Sequence, residues 1–169
     1  MSGLRINISG LSEGIHHYSL ESEPSEIGLD ERFNRPVHVK ASVEKANRQL
    51  LLHAEPQSGG RFVCDRCLDE FQRDVDAQYS IVYIQGQDTP HGAEEDILEV
   101  QYLSPDLNIL DLGEDVRQFL LLSLPLKNLC REDCAGLCPV CGGNRNRNRC
   151  SCAVEGIDPR WADLKRLKN

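Results

Sequence analysis

The chain is poor in aromatic residues, 5% of 169 positions, and has one tryptophan and one methionine. It lacks any apolar run of about 18 residues, the length that a membrane-crossing helix requires. Its longest apolar patch, FLLLSLPL at 119–126, is too short and is interrupted by Pro125. The opening MSGLRINISG has no basic segment followed by an apolar stretch, so no secretory leader is expected, and a reducing cytoplasm is the expected compartment. Motifs of common enzyme classes are missing: there is no phosphate-cradling glycine loop, no nucleophile elbow and no H-E-x-x-H. His16, His17, His38 and His53 fall in strand-like stretches, where packing or surface roles fit better than general-base roles. The chain is therefore expected not to be an enzyme.

A basic surplus is missing as well. The net charge of −8 argues against a generally basic nucleic-acid binder. The charge is uneven, however. Residues 1–141 carry 12 Lys+Arg against 24 Asp+Glu, whereas residues 142–169 carry 7 against 3. An acidic body ends in a short basic tail.

The first half alternates with period two, the mark of half-buried strands. Leu4, Ile6 and Ile8 alternate with polar residues, as do Val37, Val39, Ala41 and Val43. Phe71, Val75, Ala77, Tyr79, Ile81 and Tyr83 share one parity, broken by Arg73. Weaker strand candidates lie near 16–21, 50–54, 61–64 and 97–103. Asn47, then Pro56 and Ser58–Gly60, read as turns between them. Such short connections predict antiparallel hairpins and meanders. The polar segment 85–96, QGQDTPHGAEED, reads as a loop.

A helix is expected over about 112–124. Asp111 is placed as its N-cap with Glu114 three residues on, in the manner of a capping box. Leu112, Val116, Phe119, Leu120 and Leu124 form one apolar stripe, and Pro125 ends it. A second, short helix is expected to open at Asp158-Pro159, with Trp161, Leu164 and Leu167 on its apolar side.

What is abundant is cysteine. Eight are present, six of them in CREDCAGLCPVCGGNRNRNRCSC at 130–152. In a reducing compartment, tight clusters of this kind read as metal-binding or catalytic rather than as a disulfide framework. Two thiolates two residues apart can chelate one ion. In Cys138-Pro-Val-Cys141-Gly-Gly, the glycines allow positive φ, so backbone N–H groups can turn toward the sulfurs. A tetrahedral zinc needs two further ligands. Cys150 and Cys152, after a return loop of eight residues, complete a first choice of Cys138, Cys141, Cys150 and Cys152. Cys64, Cys67, Cys130 and Cys134 remain for a second site, which would pin the tail to the β body. Cys130 and Cys134 could instead serve the first ion, with Cys150 and Cys152 elsewhere. No histidine follows His91, so a tail site is all-sulfur, and such sites are normally closed and structural. Free cysteines, an iron–sulfur cluster and a thiol–disulfide active site are the competing readings. Eight cysteines with two C-x-x-C units count against inert thiols, and Cys64-x-x-Cys67 lies among antiparallel strand signals rather than in the βαβ unit that a thiol–disulfide site wants; zinc is the preferred reading.

Arg145, Arg147 and Arg149 alternate with asparagines beside the proposed metal turn, and Arg160, Lys165, Arg166 and Lys168 flank the last helix. Guanidinium groups suit phosphate, and asparagine suits bases or sugar. A solvated loop and ordinary helix-dipole complements compete with that reading. Together, on an acidic protein, the two segments suggest a surface that faces RNA.

Cys64-Asp-Arg-Cys67-Leu68, Leu124-Pro125-Leu126 and LCREDCAGLCPVCGGNRN…CSC…IDPRWADLKRL follow one another in an order that resembles the YceD family of large ribosomal RNA subunit accumulation proteins. The specific part of the resemblance is the C-terminal portion; the N-terminal strands are similar only in type. The resemblance implies a role in accumulation or maturation of large-subunit ribosomal RNA, in bacteria or plastids. Its implied partners are that RNA, assembly intermediates of the subunit or ribosomal proteins, which the acidic body would suit. It carries no catalytic residues. Some members lack the tail cysteines, which implies that the metal staples the tail rather than performs the shared function.

The fold expected is therefore α+β: an antiparallel β body with one packed helix over 1–127, then a cysteine-rich, zinc-stapled segment over 128–169 closed by a short helix. The function expected is a non-enzymatic ribosome-biogenesis factor. A thiol-based redox or metal-responsive protein is the alternative, together with an adaptor for basic ribosomal proteins.

Overall fold

The computed structural model describes residues 3–86, 99–104, 106–148 and 150–152. The short helix expected after Asp158, and Arg149, Arg160, Lys165 and Arg166, lie outside the described residues. The chain divides into two compact units, one formed within Met1–Phe62 and Phe71–Asn128, the other within Val63–Glu70 and Leu129–Asn169.

The elements run β1 (Arg5–Asn7), β2 (Gly14–Ser22), a 3-10 turn (Pro24–Ile27), β3 (Phe33–Ala46), β4 (Gln49–Val63), β5 (Glu70–Asp76), β6 (Tyr79–Gln85), β7 (Glu99–Leu103), β8 (Ile109–Asp111) and α1 (Gly113–Leu122). The main sheet has the order β2-β3-β4-β6-β7, with β5 also paired to β4; β1 and β8 make a separate two-stranded ladder. The period-two residues lie where alternation places them. Leu4, Ile6, Ile8, Val37, Val39, Ala41 and Val43 are buried, and so are Val75, Tyr79, Ile81 and Tyr83.

Five expectations are corrected. The body is not purely antiparallel: β6 and β7 run parallel, Val82 opposite Val100 and Ile84 opposite Tyr102. The stretch between them, residues 86–98, has the length that a parallel crossover demands.

Pro56 and Ser58–Gly60 are not a turn; they lie inside β4. Gly60 is there for closeness to β3. A Cβ on it would sit 2.0 Å from the Arg32 carbonyl oxygen. The register of β3 on β4 shifts beside it, between Phe33 and Arg35 and again between Arg35 and His38.

The run from Phe71 to Tyr83 is two strands, both laid along β4. Ala77 N donates to Pro56 O at 3.0 Å. Pro56 has no N–H to return that bond, and the run breaks at Ala77–Gln78, opposite it.

Asp111 is the last residue of β8 rather than the helix cap. Leu112 holds the cap position of α1, and Asp111 Oδ1 accepts from Gly113 N at 3.0 Å while Oδ2 takes Arg5 Nε at 2.9 Å. The helix also stops at Leu122, earlier than expected. Leu124 precedes Pro125 and is disfavoured in α conformation. The stripe itself is as the spacing implies. Leu112, Val116 and Leu120 are wholly buried, and Phe119 stacks on Tyr79 with ring centroids 4.4 Å apart. Burial of each such aliphatic side chain contributes about 1.5–3 kcal/mol, so this stripe fixes α1 in the first unit's core.

Candidate metal centres

The described part of the second unit has almost nothing apolar inside it. Its buried hydrophobic residues, among those described, are Cys64, Cys67, Cys134 and Cys138, and the aliphatic core belongs to the first unit. Its eight thiols are free and form two groups of four: Cys64, Cys67, Cys130 and Cys134, then Cys138, Cys141, Cys150 and Cys152. Within each group all Sγ atoms lie within 4.8 Å of one another. The structure thus brings together the first-choice ligands, and puts Cys130 and Cys134 with Cys64 and Cys67 rather than with the tail pair.

The distances test the fit to a metal. A tetrahedral ion with bonds of about 2.3 Å separates its sulfurs by about 3.8 Å. Cys64 and Cys134 are 3.8 Å apart, and Cys67 and Cys130 are 3.7 Å apart. These are far beyond a disulfide bond of about 2.05 Å. An iron–sulfur cluster would need its inorganic core between the thiolates, whereas these two pairs of the first centre already stand at the edge length of a single-ion tetrahedron. The donor set is the one that zinc takes in closed structural sites.

Two turns of the same construction build the centres. In Cys64-Asp-Arg-Cys67, Leu68 N donates to Cys64 O at 2.9 Å and Cys64 N to Asp69 O at 2.9 Å. In Cys138-Pro-Val-Cys141, Gly142 N donates to Cys138 O at 2.9 Å and Cys138 N to Gly143 O at 2.8 Å. The residue after the second cysteine is left-handed in both: Gly142 at φ 71°, as the sequence predicts, and Leu68 at φ 59°. The second pair of the first centre is placed by Arg66. Its guanidinium donates to the Cys134 and Glu132 carbonyls at 3.0 and 3.3 Å, and its own carbonyl accepts from Leu137 N at 3.0 Å. Gly136, at φ 69°, fits there because a Cβ would press within 3.0 Å of that same carbonyl.

The electrostatics of both groups suit a cation. Burial would raise the Cys64 thiol, but the backbone amides of Cys130, Cys67 and Arg66 outweigh it and lower its pKa to about 6. For Cys67, the amide of Asp69 favours the thiolate, yet burial and the three neighbouring thiols push it up to about 12. Cys138 is lowered to about 6 by the amides of Cys141 and Val140, while Cys152, crowded by Cys141, by burial and by Cys150, is pushed up to about 12. Each group favours a first thiolate and resists the last, a conflict that a dication removes.

The basic candidates are partly committed. Arg147 Nη2 pairs with Asp69 Oδ1 at 2.9 Å, with its side chain 70% exposed. Arg145 is exposed, and among the described residues its guanidinium has no partner. The asparagines that precede them turn inward, Asn144 to Asp69 and Asn146 to Cys134, so their amides serve the protein rather than bases or sugar. Sequence reasoning passed over Arg66, Asp69, Asn144 and Asn146 as supports of the centres. Their signal was position alone, inside or just after a cysteine pair. No helix among the described residues is long and apolar enough to cross a membrane.

Residues 61–168 match the family model described as Large ribosomal RNA subunit accumulation protein YceD. The chain is 20% identical over 156 residues to the chloroplastic Large ribosomal RNA subunit accumulation protein YCED homolog 1 of Arabidopsis thaliana, covering 79% of this chain and 49% of that protein. It is 33% identical over 109 residues to uncharacterized proteins of Mycobacterium bovis and Mycobacterium tuberculosis, covering 60% of this chain and 47% of each. It thus spans about half the length of these curated relatives. No solved structure matches it. The matched range contains all eight cysteines, both turns and α1, and on that match the chain belongs to the YceD family, the large ribosomal RNA subunit accumulation proteins.

Proposed function

We propose that this chain is a non-enzymatic ribosome-biogenesis factor that supports accumulation or maturation of large-subunit ribosomal RNA, with two structural zinc ions. The observation that carries the function is membership of a family described by that role, over residues 61–168. The observation that supports zinc is the two all-cysteine groups, each with its sulfurs within 4.8 Å of one another, and the tetrahedral spacing of two sulfur pairs in the first. Zinc would neutralise thiolates and fix two chain segments; the chain's own part is to present Cys64, Cys67, Cys130 and Cys134 to one ion and Cys138, Cys141, Cys150 and Cys152 to the other. Exposed Arg145 and the half-committed Arg147, continued in sequence by Arg149, Arg160, Lys165 and Arg166, form the proposed RNA-facing set. Ribosomal RNA or an assembly intermediate of the large subunit is the partner, and the acidic body suits basic ribosomal proteins. Eight free thiols suit a reducing compartment such as the cytoplasm.

Depletion tests the function: large-subunit RNA should fall relative to small-subunit RNA, and unchanged RNA levels and particle profiles would overturn the reading. Elemental analysis tests the metal, with about two zinc per chain expected. Iron with visible absorbance would overturn zinc. The exposure of Cys141 and Cys150 favours one second reading, a thiol-based metal or redox responder. It requires a reactive thiol in the metal-loaded protein, and a thiol titration that finds none removes it.

A further inference from the structure

The loop that joins the two ligand pairs of the second centre also touches the first. It leaves Cys141 and returns at Cys150. Within it, Asn146 Nδ2 donates to Cys134 Sγ at 3.3 Å. Asn146 Oδ1 accepts from Ala135 N at 2.8 Å and from Arg131 Nη2 at 2.7 Å. Asn144 makes the companion link. Its Nδ2 donates to Asp69 Oδ2 at 2.7 Å, two residues after Cys67, and its Oδ1 accepts from Asn146 N at 2.9 Å and Asn146 Nδ2 at 3.0 Å. Arg145 N donates to Gly136 O at 2.9 Å, and Leu137 and Asn144 pair as an antiparallel bridge. So the second centre's loop supplies an N–H donor to a sulfur of the first, and the flank of the first holds that loop.

We propose that the two centres take up metal cooperatively, with Asn146 as the positioning residue that couples them. An ion on Cys138, Cys141, Cys150 and Cys152 closes the loop and so presents the Asn146 amide to the Cys134 thiolate. A four-thiolate site on a dication is left with a formal charge of about −2, and a neutral N–H donor to sulfur spreads that charge. An ion on Cys64, Cys67, Cys130 and Cys134 fixes Asp69 and the 134–137 segment, which the loop needs to close. Linkage makes the effect reciprocal: each ion raises affinity for the other by the same factor. The inference rests on both groups holding metal, and its test reads the two claims separately.

The reduced, metal-free full chain is titrated with Co(II), followed by thiolate charge-transfer and tetrahedral ligand-field bands, and with Zn(II), followed by native mass spectrometry. At one equivalent of Zn(II), the wild-type chain should be mainly metal-free and two-metal species, with little one-metal species. Asn146→Ala should convert the half-loaded sample to mainly one-metal species and weaken overall uptake about 10–100-fold, the usual effect of removing a group that supports a ligand. Asn146→Asp separates Nδ2 donation from Oδ1 scaffolding. It keeps the Oδ1 acceptor for Ala135 and Arg131 but loses the N–H donations to Cys134 and to Asn144 Oδ1, so it should behave like Asn146→Ala. Wild-type behaviour in Asn146→Asp would show that Asn146 only scaffolds the loop and would overturn its coupling role. A Cys64→Ser/Cys67→Ser variant should weaken the remaining centre by a similar factor. A wild-type sample with mainly one-metal species at half loading overturns cooperativity, and this arm needs no variant to fold. Absence of cobalt–thiolate bands overturns the metal reading and the coupling with it.

Discussion

Leu68 occupies a backbone position that glycine fills in the companion turn. Both residues follow the second cysteine, and both donate N–H to the carbonyl of the first cysteine. At φ 59°, a leucine carries the crowding of Cβ against its own carbonyl, which costs roughly 1–2 kcal/mol. Its side chain is 63% exposed and recovers little by burial. Leu68→Gly should therefore tighten the first centre. The gain is reduced by the extra freedom of glycine in the unfolded chain, leaving up to about 1 kcal/mol, or about fivefold in affinity. Competition for Zn(II) against a chromophoric chelator measures it; weaker binding would show that the leucine side chain holds the turn. This position was invisible in the sequence, where leucine gives no sign of positive φ. Gly142 was legible because Cys-Pro-Val-Cys-Gly-Gly offers a residue that adopts it freely. The two C-x-x-C pairs were also legible, since their spacing is local; which pairs share a group stayed open, because Cys64 and Cys134 are 70 residues apart and only the fold joins them. Asn144 and Asn146 were not: asparagine suits RNA and buried amides equally, and only the fold brings Asn146 to Cys134.

At the scale of elements, strands announced themselves by parity and α1 by its apolar stripe, because both record local periodicity. Their ends and partners depend on the neighbouring strand. Gly60 and Pro56 illustrate this: in sequence they punctuate, whereas in β4 one permits close approach to β3 and the other interrupts pairing with β5 and β6. Gly60→Ala tests the point. The new Cβ would meet the Arg32 carbonyl oxygen at 2.0 Å and its carbon at 2.8 Å, backbone atoms that no side-chain rotation can clear. Separating β3 from β4 there should cost about 1–3 kcal/mol, read as a lower urea midpoint with an unchanged slope. Gly59 makes a contrast within the same strand. The nearest atoms its Cβ would meet belong to the Arg35 guanidinium, a flexible end paired with Asp74, so Gly59→Ala should cost clearly less than Gly60→Ala. Equal losses would mean that chain entropy, not contact with the Arg32 backbone, sets the requirement.

At the scale of the molecule, two kinds of stabilisation are kept apart. The first unit has a continuous aliphatic and aromatic core running from Leu4 to Leu120. The described part of the second unit buries four cysteines and no other hydrophobic side chain, so area burial cannot fold it. Removing metal should then act on one unit only. In the full chain under reducing conditions, a zinc chelator should abolish amide-exchange protection at Leu68, Cys134, Leu137, Cys138 and Gly142, whose N–H groups bond within the second unit. Protection should persist in β3, in the β4 stretch from Leu50 to Ala54 that pairs β3 and β6, and in α1. Re-adding Zn(II) should restore the lost set, since binding free energy is folding free energy where no core exists. Loss of protection in β3 and α1 at the same chelator concentration would show that the sheet depends on the metal. Unchanged protection at Cys138 and Gly142 would show that hydrogen bonds alone, such as Cys138 N to Gly143 O, hold the turn. The expected pattern assigns the ions the part that Leu52, Ile81, Val116 and Leu120 play in the first unit: they are what the surrounding backbone folds around.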